Sequence, residues 1–227
     1  MGLLRFRESE LTHKLVSYLK QNIMKTLYLL LVICISQQVI AQSPYEKAMN
    51  KAFTLMKTDL IEAAPQFEQI ARVEKENWLP TYYAAFCYLN SSWGQNPKDQ
   101  TALYLKKAQE QIDNALLISP DNTEVMVLQA LLYTAYITMD SSTYGMKLSP
   151  KVTAIYEKAM KLTPNNPRVV TSRAQWLIGS AKFFGKDITP YCSQLDTALE
   201  LFEKETPDGY APRWGKEGTI EQLKNCQ

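Results

Sequence analysis

Histidine is nearly absent from this 227-residue chain, with His13 the only one. Glycine is scarce, at 8 residues, and the four cysteines, Cys34, Cys87, Cys192 and Cys226, include no C-x-x-C pair. Each shortage excludes something. Few glycines and 46% hydrophobic residues rule out collagen-like and disordered chains and leave apolar material for one sizeable core. Without C-x-x-C spacing, a thiol-based metal site or redox motif lacks its usual frame. The net charge of +2 gives no bulk electrostatic attraction to nucleic acid or anionic lipid.

What is present near the start is an export signal. Met24-Lys25-Thr26 precedes the apolar run Leu27–Ile35, then Ser36-Gln37-Gln38 and Val39-Ile40-Ala41. One positive charge, a short apolar core and a small residue at the cut predict a secretory signal peptide over 24–41, cleaved after Ala41. The run covers about half of the roughly 20 residues that a bilayer span needs, so the mature chain is expected to have no stable membrane span. Lipid anchoring through Cys34 is disfavoured, because Ile33 is bulky where a small residue is expected. For residues 1–23 two readings stand. They are an upstream leader from a start site set too early, or a flexible N-terminal helix with Leu11, Leu15, Tyr18 and Leu19 on one face. The predicted mature chain, 42–227, is periplasmic or secreted. It has no histidine, which removes the commonest general base, the Ser-His and Cys-His pairs and most zinc sites. No catalysis, metal or cofactor is expected.

A repeat organises the rest. Asn114–Asn122 aligns with Lys158–Asn166, with Pro120 and Pro164 in register 44 residues apart. Eight residues beyond Asn77, Asn122 and Asn166 come Ala85, Ala130 and Ala174, and three further on Tyr88, Tyr133 and Leu177. A weaker copy runs Leu195, Leu199, Phe202, Pro207. A small residue at a helix contact lets two axes approach, and a large one a turn later fills the hollow. Pro-Asp-Asn and Pro-Asn-Asn stop one helix and cap the next. Ser43-Pro44, Ser149-Pro150, Asn166-Pro167 and Thr189-Pro190 read as an N-cap followed by a first-turn proline. The expected helices are 44–57, 59–74, 78–92, 100–118, 123–139, 150–162, 167–183, 190–204 and 213–225.

These residues resemble the tetratricopeptide-repeat family. Ala108, Ile112, Ala115, Pro120, Ala130 and Tyr133 make one copy; Val152, Tyr156, Ala159, Pro164 and Ala174 a second; Phe67, Ala85 and Tyr88 a degenerate first. The family period is about 34 residues; here it is longer, and the extra length falls between the two helices of a pair. Pro212-Arg213-Trp214-Gly215 with Cys226 is similar to the chain end of exported bacterial members. The resemblance implies an all-α, right-handed superhelical solenoid of three to four helix pairs with a C-terminal capping helix. Lys216, Glu217, Glu221 and Lys224 of that cap would face water.

It further implies a concave binding groove lined by Tyr82, Phe86, Asn90, Val127, Leu131, Arg168, Thr171 and Gln175. An apolar peptide fits this set better than a clamped carboxylate; the competing reading makes some of the eight plain core. Trp93-Gly94, Tyr144-Gly145 and Phe184-Gly185 each put an aromatic before a glycine. Either the glycine ends a helix left-handed and the ring tucks against the last turn, or Trp93, Tyr144 and Phe184 form an aromatic edge for a partner. Export makes a Cys192–Cys226 disulfide chemically allowed, and two thiols are the alternative. Cys87 is a small core residue. Glu203/Glu205 and Glu74/Glu76 diverge on their helices, and with Lys106-Lys107 are read as solvated surface. The expected function is protein–protein interaction or scaffolding without chemistry. Self-association as an envelope subunit is the runner-up, and an all-α carboxylate enzyme is third.

Overall fold

The computed structural model describes residues 16–26 and 42–226. Met1–Pro44 and Tyr45–Gln227 are separate compact units. In the first, residues 16–26 are helical and exposed. His13, Cys34 and most of the expected signal peptide lie outside the described residues. In the second, all secondary structure described is helical: α1 Pro44–Met56, α2 Leu60–Val73, α3 Trp78–Ser92, α4 Lys98–Ile118, α5 Thr123–Met139, α6 Ser141–Leu162, α7 Pro167–Phe183, α8 Thr189–Lys204 and α9 Lys216–Lys224. Among the described residues no helix is long and apolar enough to cross a membrane.

The repeated asparagines start the first helix of three pairs. Asn77 Oδ1 accepts from the Leu79 amide at 3.1 Å, Asn122 Oδ1 from Glu124 at 3.0 Å, and Asn166 Oδ1 from Arg168 at 2.9 Å. Each satisfies a first-turn donor that the helix cannot. From α2 onwards each helix packs on the next, and the first helices of successive pairs also touch, α3 on α5 and α5 on α7. Ala85, Ala130 and Ala174 are fully buried, at 0% exposure. A larger side chain there would hold the axes apart. Because α5 lies between α3, α4, α6 and α7, its first two turns, from Thr123 to Ala130, are buried on every side. Between pairs, Gln109 and Gln129 exchange amide hydrogen bonds at 2.8 and 3.0 Å, and Lys158 pairs with Asp121. Cys87 sits in this core, where burial pushes its thiol up to about 12.

Three helix starts differ from expectation in their capping or position, and the remaining boundaries agree to within two residues. The sixth helix begins at Ser141, not 150, so Ser149-Pro150 is interior and caps nothing. Asp140 supplies the cap instead: its carboxylate accepts from the Thr143 amide at 3.1 Å and from the Ser142 and Thr143 hydroxyls at 2.7 and 2.8 Å. Proline lacks the donor that an interior position needs, but an established N-terminal turn carries the helix past it. At the eighth helix the turn before Thr189-Pro190 is closed by Asp187, whose Oδ1 accepts from the Thr189 amide at 2.9 Å. The last helix begins at Lys216, which releases Pro212-Arg213-Trp214 into an irregular segment.

The hydrogen bonds from Ser142 and Thr143 hold the Asp140 carboxyl down at about 2. Because the folded value lies below the unfolded one, the cap's contribution is complete above the ordinary carboxylate range and fades as pH falls towards 2. Asp140→Asn is therefore expected to unfold at lower temperature than the wild type at pH 6. Thermal scans should show the difference closing below pH 2.

Candidate functional site

After α8 the chain does not stop at an open end. Residues 205–215 form a strap that returns across α7, α3 and α1. Its first fixing point is a buried charge. Arg168, in the first turn of α7 and 3% exposed, places Nε 2.9 and 2.8 Å from the two carboxylate oxygens of Glu124 and Nη1 2.9 Å from Glu205. Asn166 donates to Glu124 at 2.6 Å. Burial pushes the Glu124 carboxyl above its ordinary value, against the pull of Arg168 and Asn166. Beyond the strap, Thr171 and Thr219 share a buried hydroxyl hydrogen bond, and Cys226 is bonded to Cys192 at the start of α8, Cα to Cα 6.0 Å.

Aromatic residues hold the middle of the strap. The Tyr83 hydroxyl donates to the Tyr210 carbonyl at 2.8 Å, and Trp214 Nε1 donates to the Tyr82 hydroxyl at 2.7 Å. The Tyr210 hydroxyl reaches α1, at 3.1 Å from the Glu46 carbonyl and 3.0 Å from Asn50 Oδ1. Its ring stacks on Phe53, 5.5 Å between centroids and 9° between planes. Gly215 turns the chain into α9 at φ +112°, and a Cβ there would lie 2.8 Å from the Phe202 ring, so backbone and packing both require glycine.

Between strap, α1 and α3 lies a cleft of about 380 Å³. Its walls are Phe53 and Met56 from α1, Tyr83 and Phe86 from α3, and Tyr210, Ala211 and Trp214 from the strap, with Asn50 and Arg213 as polar groups. Phe86 and Trp214 meet at 5.5 Å with their planes tilted by 42°. Burial raises the Tyr83 phenol well above its ordinary value, so it stays a neutral donor. A second depression, about 280 Å³ beside Asn165, Pro167, Leu201 and Lys204, is helix-end surface without aromatic walls. Among the described residues no group of His, Cys, Asp and Glu is placed to hold a metal ion.

The eight residues expected to line a groove do not form one open face. Tyr82, Val127, Arg168 and Thr171 are buried, and Phe86, Asn90, Leu131 and Gln175 are half-buried. The strap covers part of this surface, so Tyr82 meets Trp214, Arg168 meets Glu205, and Phe86 becomes a wall of the cleft. Glu205, expected in solvent, is half-buried on Arg168, and Glu203 pairs with Lys216 at 2.6 Å. Of the three aromatic-glycine pairs, Gly185 is left-handed at φ +63°, Gly94 is not, and Tyr144-Gly145 lies inside α6 with Tyr144 against Tyr136 at 5.2 Å. Trp93 and Phe184 are exposed, at 45% and 68%. Sequence reasoning missed Phe53, Tyr83 and Tyr210. The signal for them was aromatic density in α1 and α3 opposite a glycine-flanked Tyr210–Trp214 segment.

No family model and no curated relative matches this chain. Among solved structures it superposes on the HusA haemophore from Porphyromonas gingivalis with a TM-score of 0.72 and 21% sequence identity, over 82% of this chain and 95% of that one. The two proteins share a fold.

Replacing Arg168 with methionine would leave Glu124 buried without its counter-charge. A loss of about 3–5 kcal/mol is expected. A raised carboxyl favours the folded state only while protonated, so the deficit should be smaller at pH 5 than at pH 8. Denaturant titrations at the two pH values measure it, and a variant as stable as the wild type would show that the network holds nothing.

Proposed function

We propose that the protein is an exported binding module without chemistry of its own, which takes a flat, largely apolar ring ligand of the haem type into the cleft under its strap. The observation that carries this is the wall of Phe53, Tyr83, Phe86 and Trp214 around one opening. Rings stacked or edge-on at 4.5–7 Å add to the gain from area alone, and the volume lies within the range of small-molecule sites. The fold shared with a haemophore supports the choice of ligand class. Export is supported by the Cys192–Cys226 bond, since disulfides persist in oxidising compartments, and by the signal-like residues 24–41. In this reading the helix pairs wind as a right-handed superhelical solenoid of the tetratricopeptide type; the asparagine caps and the contacts of α3 with α5 and α5 with α7 support it.

A second reading, a protein partner or a second copy of the chain, is favoured by a different feature. Phe183 and Phe184 are 78% and 68% exposed at the end of α7, and Trp93 is 45% exposed at the end of α3. Phe183 and Phe184 lie together, 5.1 Å between ring centroids, and contiguous exposed rings are what a contact surface offers. Light scattering across a concentration series distinguishes the self-associating form.

Haemin titrated into the purified protein is expected to bind saturably at one site, shifting its Soret band and quenching tryptophan fluorescence. Phe86→Ala should weaken it about tenfold, roughly the 1.4 kcal/mol of one lost ring contact. Unsaturable binding, or binding indifferent to Phe86, would remove the haem reading.

A further inference from the structure

The cleft is apolar except for Asn50, whose Oδ1 already accepts from the Tyr210 hydroxyl, and for Arg213 at its rim. The guanidinium is oriented from behind: its Nη2 donates to the carbonyls of Pro207 and Gly209, both at 3.0 Å. Those two bonds fix the plane of the fork and leave Nε and Nη1 without a protein acceptor among the described residues. No carboxylate of the described residues lies within 4.0 Å of Arg213, whereas the chain's other strap-side arginine, Arg168, is shared between two. An arginine held in position yet lacking a counter-ion, on the edge of an aromatic cleft, is suited to an anion brought by the occupant. Planar guanidinium and planar carboxylate match in a two-point hydrogen bond, which a lysine cannot reproduce.

We propose that Arg213 is the specificity-determining residue of the cleft, pairing with a carboxylate carried on the edge of a flat aromatic ligand whose ring lies against Phe86 and Trp214. The inference rests on the ring-ligand reading of the cleft and adds to it the requirement for an acid. The cleft then divides its work: the rings supply attraction without regard to substituents, and Arg213 selects rings with an acid at one edge. Neutral apolar rings of equal size bind on ring contact alone, because the exposed guanidinium keeps its hydration and gains no ion pair from them.

The test compares haemin with its dimethyl ester, which keeps the ring and removes both acids. Ligands are added to the wild type, Arg213→Gln and Arg213→Lys, with tryptophan quenching as readout. The wild type is expected to prefer the diacid about tenfold, in the range of a hydrogen bond to a charged group. Arg213→Gln should abolish that preference by weakening the diacid while leaving the ester where it was, and Arg213→Lys should recover only part. Raising salt should erode the preference without affecting the ester. Equal affinity for acid and ester in the wild type overturns the inference while the ring-ligand reading stands. Equal weakening of both ligands by Arg213→Gln also overturns it, since that reports a disturbed strap. Failure of the wild type to bind either ligand overturns the ring-ligand reading and the inference together.

Discussion

A guanidinium removed from water must find charge on its flanks, and Arg168 finds it on two sides at once. Glu124 belongs to the preceding repeat and Glu205 to the first residue beyond α8. The same side chain therefore locks one pair of helices to the next and decides where the chain leaves the helical stack. Everything distal follows from that exit. Gly215 can turn under Phe202, Thr219 can reach Thr171, and Trp214 can reach Tyr82, because the strap starts at a fixed place and in a fixed direction. Buried pairs of this kind add little net stability, since desolvation offsets most of their attraction. Their role here is geometric.

Much of the fold was legible because its determinants are local. An asparagine cap acts over three residues, and a small residue followed by a large one acts over a single turn, so Asn77, Asn122, Asn166 and the alanines eight positions on place the helices by themselves. Where the structure departs from the repeat pattern, a stronger local signal decides. Asp140 with Ser142 and Thr143 starts α6, and Ser149-Pro150 only imitates a start. The site was less legible for a different reason. Tyr83 and Tyr210 are 127 residues apart, and Asn50 and Tyr210 are 160 apart. Nothing in either local sequence announces the other. The repeat pattern pointed to an open inner face, because a pattern of repeats says nothing about a segment that is not a repeat.

That segment changes what kind of surface the protein offers. An open groove would present a shallow face suited to a peptide. The strap covers part of it and leaves a smaller, ring-walled opening, with polar groups only at Asn50 and Arg213. Affinity in such a place comes from ring contact and selectivity from the few polar atoms at its edge. The exposed Phe183, Phe184 and Trp93 lie at helix ends outside the cleft, so a contact made there would leave its walls untouched.

The reach of the strap has one more consequence, for how the array can change over time. Repeat proteins commonly gain or lose units freely, because each unit touches only its neighbours. Here a tether of set length is fastened beside α1 through Tyr210 and clasped at α8 through Cys226. Inserting or deleting one helix pair would move those anchor points apart or together by a whole repeat and leave the tether too short or slack. It works as a ruler: the strap as built spans this number of helix pairs and no other.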